Sequence, residues 1–189
     1  MKAVEKLPEG YKEYYSLNLQ KDKKTAILVN AISIFIGVLM LVPMLFAVPI
    51  TTLVNTNIEN VPKLIVFLIL IIVYFVTHEL VHGIAMKSCG TKKVKYGFTG
   101  LYAFAGSNDY YDKKSYIYIA LAPIILLGII IAIINLLVPV EWFWIVYLLQ
   151  IINISGAAGD LFVTLKFSRF PKDILIKDDG LGMTVFSKA

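Results

Sequence analysis

Cysteine is all but missing. Cys89 is the single one in 189 residues, so no internal disulfide can form, and it says little about compartment. Histidine is nearly as scarce, with two residues, and charge is thin: 16% of residues are charged against 58% hydrophobic. Together with a mean hydropathy of +0.76, that balance excludes an ordinary soluble domain. No internal repeat or low-complexity segment is present. No cleavable signal is apparent either: the first apolar run begins only near Thr25, behind a mixed-charge segment, and reaches about Ile50, longer than a signal-peptide core. It is expected to be a true span that also directs insertion. The net charge of +5 is not a nucleic-acid signature, because the basic residues flank apolar runs, where they orient a protein and meet anionic lipid.

What is present is one domain's length of chain with four stretches long and apolar enough to cross a bilayer, each needing about 20 residues. The expected class is an all-α polytopic membrane protein of four transmembrane helices, at about 25–48, 63–87, 116–138 and 142–167. A small membrane-associated β-hairpin at about 92–106 follows the second helix. Pro43 lies within the first span and Pro123 early in the third, where proline marks a kink rather than a break. A polar, Asn/Thr-rich loop joins Pro49 to Pro62. In the hairpin, Val94, Tyr96 and Phe98 alternate with polar or small residues, Thr99-Gly100 suits a turn, and 101–105 supplies the second arm. The fourth span carries an interruption of small and polar residues, Asn153 to Asp160. Residues 1–24 form an N-terminal segment in which 15–20 alternate as in a short strand, or lie as a tail on the membrane surface. Residues 168–189 form a charged tail.

The second span ends in His78-Glu79-Leu80-Val81-His82, an HExxH containing both histidines of the chain. Residues four apart share a helix face, so both imidazoles can reach one metal ion, and Glu79 can serve as general base toward a water held there. Two core histidines that merely fall four apart would be costly in an apolar span. Cys89 follows closely enough to be a conceivable ligand, although a small loop residue explains it as well.

The basic residues sort by loop. Six lysines lie in 1–24, six between Lys87 and Lys114, and five lysines and arginines from Lys166 onward; none lies in 49–62 or 139–141, and Lys63 is the exception. Positive loops stay cytoplasmic, so both termini and the central loop are expected inside. Spans two and four then run in the same direction, and at 1.5 Å per residue the His pair and Asp160 match in depth to within roughly a turn. Glu79 and Asp160 are the acids well inside a span. An acid in lipid needs a partner. A metal on His78 and His82 provides one, which would make Asp160 the third ligand and leave a position open for water. The competing readings of Asp160 are a helix-end cap or an ion pair with Lys166.

With these residues in view, the chain resembles the site-2 protease class of membrane zinc metalloproteases. That class pairs an HExxH on one span with Asn, small residues and Asp on a later one, here His78, Glu79, His82, Asn153 and Asp160. The whole chain is most similar to a bacterial family of small four-span zincin peptidases, through its Tyr-rich start, the run His78 to Gly83, and the segment 115–128 with Ala122-Pro123. Ser155-Gly156 stands where the class has a proline after the Asn, and Gly159-Asp160-Leu161 replaces its Leu-Asp-Gly.

The resemblance implies Zn²⁺ on His78, His82 and Asp160, cleavage in or near a substrate's membrane span, and an active site toward the cytoplasm. It also implies that strands near the membrane surface hold the unwound substrate, with the hairpin as candidate because an edge can add an extended peptide. Asn153 is a candidate to steady the oxyanion, or equally a buried amide bonding another helix. The expected partners are a membrane-protein substrate and the bilayer. The rival class is a non-proteolytic zinc-binding membrane protein: a transporter, sensor or inactive adaptor. The nearly pure apolar outer halves of the spans disfavour a transporter, and the presence of Glu79 disfavours an inactive adaptor. A third reading is an HExxH enzyme acting on lipid or a small molecule.

Overall fold

The computed structural model describes residues 3–53, 60–100 and 102–188. Much of the polar loop expected between Pro49 and Pro62, and the first residue of the hairpin's second arm, lie outside them. In order come β1 (Tyr11–Leu17), α1 (Lys23–Ala47), α2 (Asn60–Ser88), β2 (Lys95–Phe98), β3 (Ala103–Gly106), β4 (Tyr110–Asp112), α3 (Lys113–Leu137), α4 (Phe143–Gly156), α5 (Ala158–Ser168), β5 (Leu175–Asp178) and β6 (Met183–Lys188). Four helical stretches are long and apolar enough to cross a membrane: Lys23–Ala47, Pro62–Ser88, Lys113–Leu137 and the combined Val140–Ser168.

Local chemistry sets where the helices start and stop. Asp22 caps α1 by accepting from the Thr25 N–H at 3.1 Å, and Asp112 caps α3 by accepting from Ser115 N–H at 2.8 Å. Gly90, at φ +102°, ends α2 in a Schellman-type turn in which Thr91 N–H returns to the Met86 carbonyl. Pro139 stops α3 as expected. The fourth span is not one helix. It breaks at Ala157, within the run Ser155-Gly156-Ala157-Ala158-Gly159, and restarts as α5 with Asp160 in its first turn.

The expectation of an all-α chain with one hairpin needs correction. The hairpin is present, narrower than 92–106, with β2 and β3 antiparallel and Gly100 at φ +88° in the turn. Beyond it, the chain's two ends and the mid-chain β4 build a four-stranded antiparallel sheet in the order β1-β6-β5-β4. The N-terminal strand is Tyr11–Leu17, taking in 15–17 of the expected alternation while 18–20 lead into a turn, and the charged tail is two strands. These strands are three to seven residues long, too short to announce themselves by period, and β1 and β4 gain their hydrogen bonds from the distant β6 and β5.

The sheet rests on the C-terminal ends of α2 and α5 and the N-terminal end of α3. Ile176 and Val185 from its underside pack with Met86, Tyr116, Val163 and Phe167 in a fully buried cluster. A second cluster fills the bundle with Tyr74, Val81, Leu127, Ile131, Val146 and Leu149. α3 is the central helix, touching α2, α4 and α5, whereas α1 packs on α4 and α5. Where α1 crosses α4, Gly37 faces Ile151 and Ser155.

Candidate metal centre

His78 and His82 are one turn apart on α2, and both are buried, at 8% and 9% exposure. The break at Ala157 turns α5 so that Asp160 meets them. One carboxylate oxygen of Asp160 lies 3.4 Å from His78 Nε2 and 3.6 Å from His82 Nε2. One ligand atom from each of the three residues falls within 4.8 Å of the others. These separations are long for hydrogen bonds. They match the edges of a tetrahedron of ligand atoms about 2.0–2.2 Å from a zinc ion, which run roughly 3.3–3.6 Å. The donor set and its spacing fit a divalent cation with one position left for water.

The other ring nitrogens are held as well. His82 Nδ1 sits 2.9 Å from the Ile119 carbonyl of α3. A carbonyl only accepts, so the ring carries its proton on Nδ1 and keeps the Nε2 lone pair toward Asp160. His78 Nδ1 sits 3.0 Å from the hydroxyl of Tyr74, which donates in turn to Asn153 Oδ1 at 3.3 Å. The Asn153 amide is oriented by its other end, where Nδ2 donates to the Ile124 carbonyl at 3.2 Å. With the Tyr74 proton on the Asn153 side, His78 donates from Nδ1 to the Tyr74 oxygen and its Nε2 is left toward Asp160. Asn153 is fully buried and spends both ends of its amide inside the bundle. Gly128 makes room: a β-carbon there would stand 3.1 Å from Asn153 Nδ2.

Glu79 faces a cleft of about 990 Å³ that is also lined by His78, His82, Asp160 and the inner face of β3. Among the described residues β3 pairs with β2 alone, and Ala103, Phe104 and Ala105 of β3 line the cleft. Tyr96 of β2 lies across α2 at Gly83, so close that a β-carbon at 83 would collide with its hydroxyl. Cys89 is buried in the inner core with Ala85 and Met86, and it is not in the ligand cluster.

The sequence had offered no role for Asp178, which closes the far side of the cleft. Its carboxylate accepts from Tyr116 Oη at 2.8 Å and from Gly180 N–H at 2.9 Å. Burial, with a smaller contribution from the Asp160 charge, pushes its pKa up to about 6. The one legible signal was Asp178-Asp179-Gly180, a turn sequence. Tyr74 could have been found as the residue one turn before His78.

Long apolar helices that bring an HExxH and a nearby acid to one cleft define a zincin-like arrangement. Residues 70–175 match the family model described as "Putative zincin peptidase", and the chain belongs to that family. An uncharacterized 24.7 kDa protein of Pyrococcus woesei is 32% identical over 133 residues, which is 67% of this chain. The chain spans 58% of the length of that relative. No solved structure matches the chain.

Proposed function

We propose that this protein is a multi-pass membrane zinc metallopeptidase of site-2 protease type, cutting peptide bonds in or near the membrane spans of its substrates. The observation that carries the reading is the convergence of His78 Nε2, His82 Nε2 and an Asp160 oxygen within 4.8 Å, with Glu79 beside them on the cleft. The sorting of lysines supports a cytoplasmic side for both termini and the cleft. Helices of this length and apolarity support a chain embedded in the membrane.

When bound at the three ligands, Zn²⁺ supplies Lewis acidity to a water and to the scissile carbonyl. Glu79 takes a proton from the attacking water as general base, then delivers it to the departing amine nitrogen. Asp160 offsets the cation's charge and fixes its depth. Asn153 acts through Tyr74 on His78, a reading supported by the engagement of both ends of its amide. The β2–β3 hairpin, whose Ala103 to Ala105 line the cleft beside Glu79, holds an extended substrate segment by backbone hydrogen bonds. A substrate helix must unwind to do so, and the apolar cleft walls receive its side chains.

The test uses the full-length protein in detergent or bilayers with a model transmembrane substrate. Wild type should bind one zinc and cleave. Glu79→Gln should keep the zinc and lose cleavage. Normal cleavage by Glu79→Gln would remove the general base, and a wild type that binds no metal would remove the whole reading.

A further inference from the structure

Both histidines of the centre point Nε2 the same way because something holds each Nδ1. For His78 the holder is a side chain, Tyr74. For His82 it is a main-chain carbonyl in the middle of an α-helix, that of Ile119, at 2.9 Å. Such carbonyls are normally committed. In an α-helix the C=O of a residue accepts the N–H of the residue four further on. For Ile119 that residue is Pro123, which lies inside α3 and has no N–H to give. The carbonyl lacking its helical partner is thus the one that receives His82. Pro123 itself is fully buried, and Ile119 is 2% exposed.

We infer that Pro123 is a positioning residue for the metal centre: by withholding an N–H it frees the Ile119 carbonyl to take the Nδ1 proton of His82 and present Nε2 to the metal. The inference rests on the metal reading above for its functional meaning, but the hydrogen bond itself is independent of it. Proline at 123 does two things at once. It removes the competing donor, and its ring pushes against the preceding turn, tilting the carbonyl off the helix axis toward a neighbour. The result is a backbone counterpart of the carboxylate or carbonyl partners that orient metal-bound histidines. A backbone acceptor has no rotamers to lose, so the ring is held without ordering another side chain.

The experiment takes advantage of there being two histidines in the chain. Full-length protein labelled with ¹⁵N-histidine gives two imidazoles, and Tyr74→Phe identifies His78 as the one that moves. In metal-free wild type, at a pH where both rings are neutral, His82 should carry its proton on Nδ1. Pro123→Ala restores the N–H. It should shift His82 toward the Nε2-H form while leaving His78 unchanged, and weaken binding of Zn²⁺ alone about 10–100-fold. Unfolding of the metal-free variant should occur at the same temperature or higher, because the helix regains a hydrogen bond; a purely structural proline would lower it. The double variant Ala122→Pro, Pro123→Ala keeps a kink but vacates the Tyr118 carbonyl instead, and it should lose zinc affinity like the single one.

Zinc affinity within twofold of wild type in Pro123→Ala, with His82 still Nδ1-protonated, overturns the inference. So does a wild-type spectrum placing the His82 proton on Nε2, which needs no variant to fold. If wild type shows the Nδ1 proton, Pro123→Ala moves it and neither binds zinc, then the positioning bond stands and the metalloprotease reading falls.

Discussion

The ring of Phe104 lies against Gly180, so close that a β-carbon at position 180 would meet the ring atoms. The β5–β6 turn thereby braces β3 from the side away from the hairpin. Ser107 N–H donates to the Asp178 carbonyl at 2.8 Å at the same junction, and a β-carbon at Gly106 would run into the Asp179–Gly180 backbone. The turn between the last two strands is what holds β3 in place beside the cleft that Glu79 lines.

Gly180→Ala is therefore expected to destabilise the protein by about 1–3 kcal/mol, from overpacking and from the positive φ of +87°. Phe104→Ala added to it should recover the part due to the clash and leave the backbone strain. Thermal unfolding of the single and double variants separates the two. Equal stability of Gly180→Ala and wild type would mean that the turn does not press on the hairpin.

Tyr74→Phe deletes the hydroxyl between His78 and Asn153 while keeping the ring's packing. It leaves a buried Asn153 Oδ1 without its donor, a cost of roughly 1–3 kcal/mol, and frees His78 to rotate or change tautomer. Zinc affinity should fall by about tenfold or more. Asn153→Ala should act in the same direction, and the double variant should lose less than the sum, because the two residues form one chain. Zinc competition titration measures all three; additive losses would place Asn153 elsewhere in the mechanism.

Asp178 gives a pH dependence outside the membrane-spanning segments. Its pKa rises from 3.8 to about 6 on folding, so between those values the folded chain holds a proton that the unfolded chain has released. Stability from this group must fall as pH rises from about 4 to 6 and level off above. In the metal-free protein, wild type should gain stability relative to Asp178→Asn as pH drops from 7 to 5. Melting curves at the two pH values decide it; an unchanged difference would mean that the carboxylate is solvated.

Chelation should report on the centre without any mutation. A ligand that binds the folded state alone stabilises it by about 2.7 kcal/mol at a hundredfold excess over Kd. Removing zinc from wild type should lower the unfolding temperature, and Asp160→Ala, with one ligand missing, should show a much smaller drop. Equal drops would exclude Asp160 from the ligand set.

The sequence alone established what depends on local period. Four apolar runs of bilayer length, and two histidines and an acid at helical spacing in the second, are written in neighbouring residues, and the helix does the rest. Even the irregularity of the fourth run was visible in its small and polar residues. Its consequence was not: only the structure breaks the helix at Ala157 and swings Asp160 to the two Nε2 atoms. The four-stranded sheet was equally hidden, because β1 and β6 pair across the length of the chain and neither strand carries the other's address. Asp178, Tyr74 and the Ile119 carbonyl joined the site in the same way. Periodicity is a property of a segment, whereas a hydrogen bond between segments exists only once tertiary packing has put the donor and acceptor within 3 Å or so of each other.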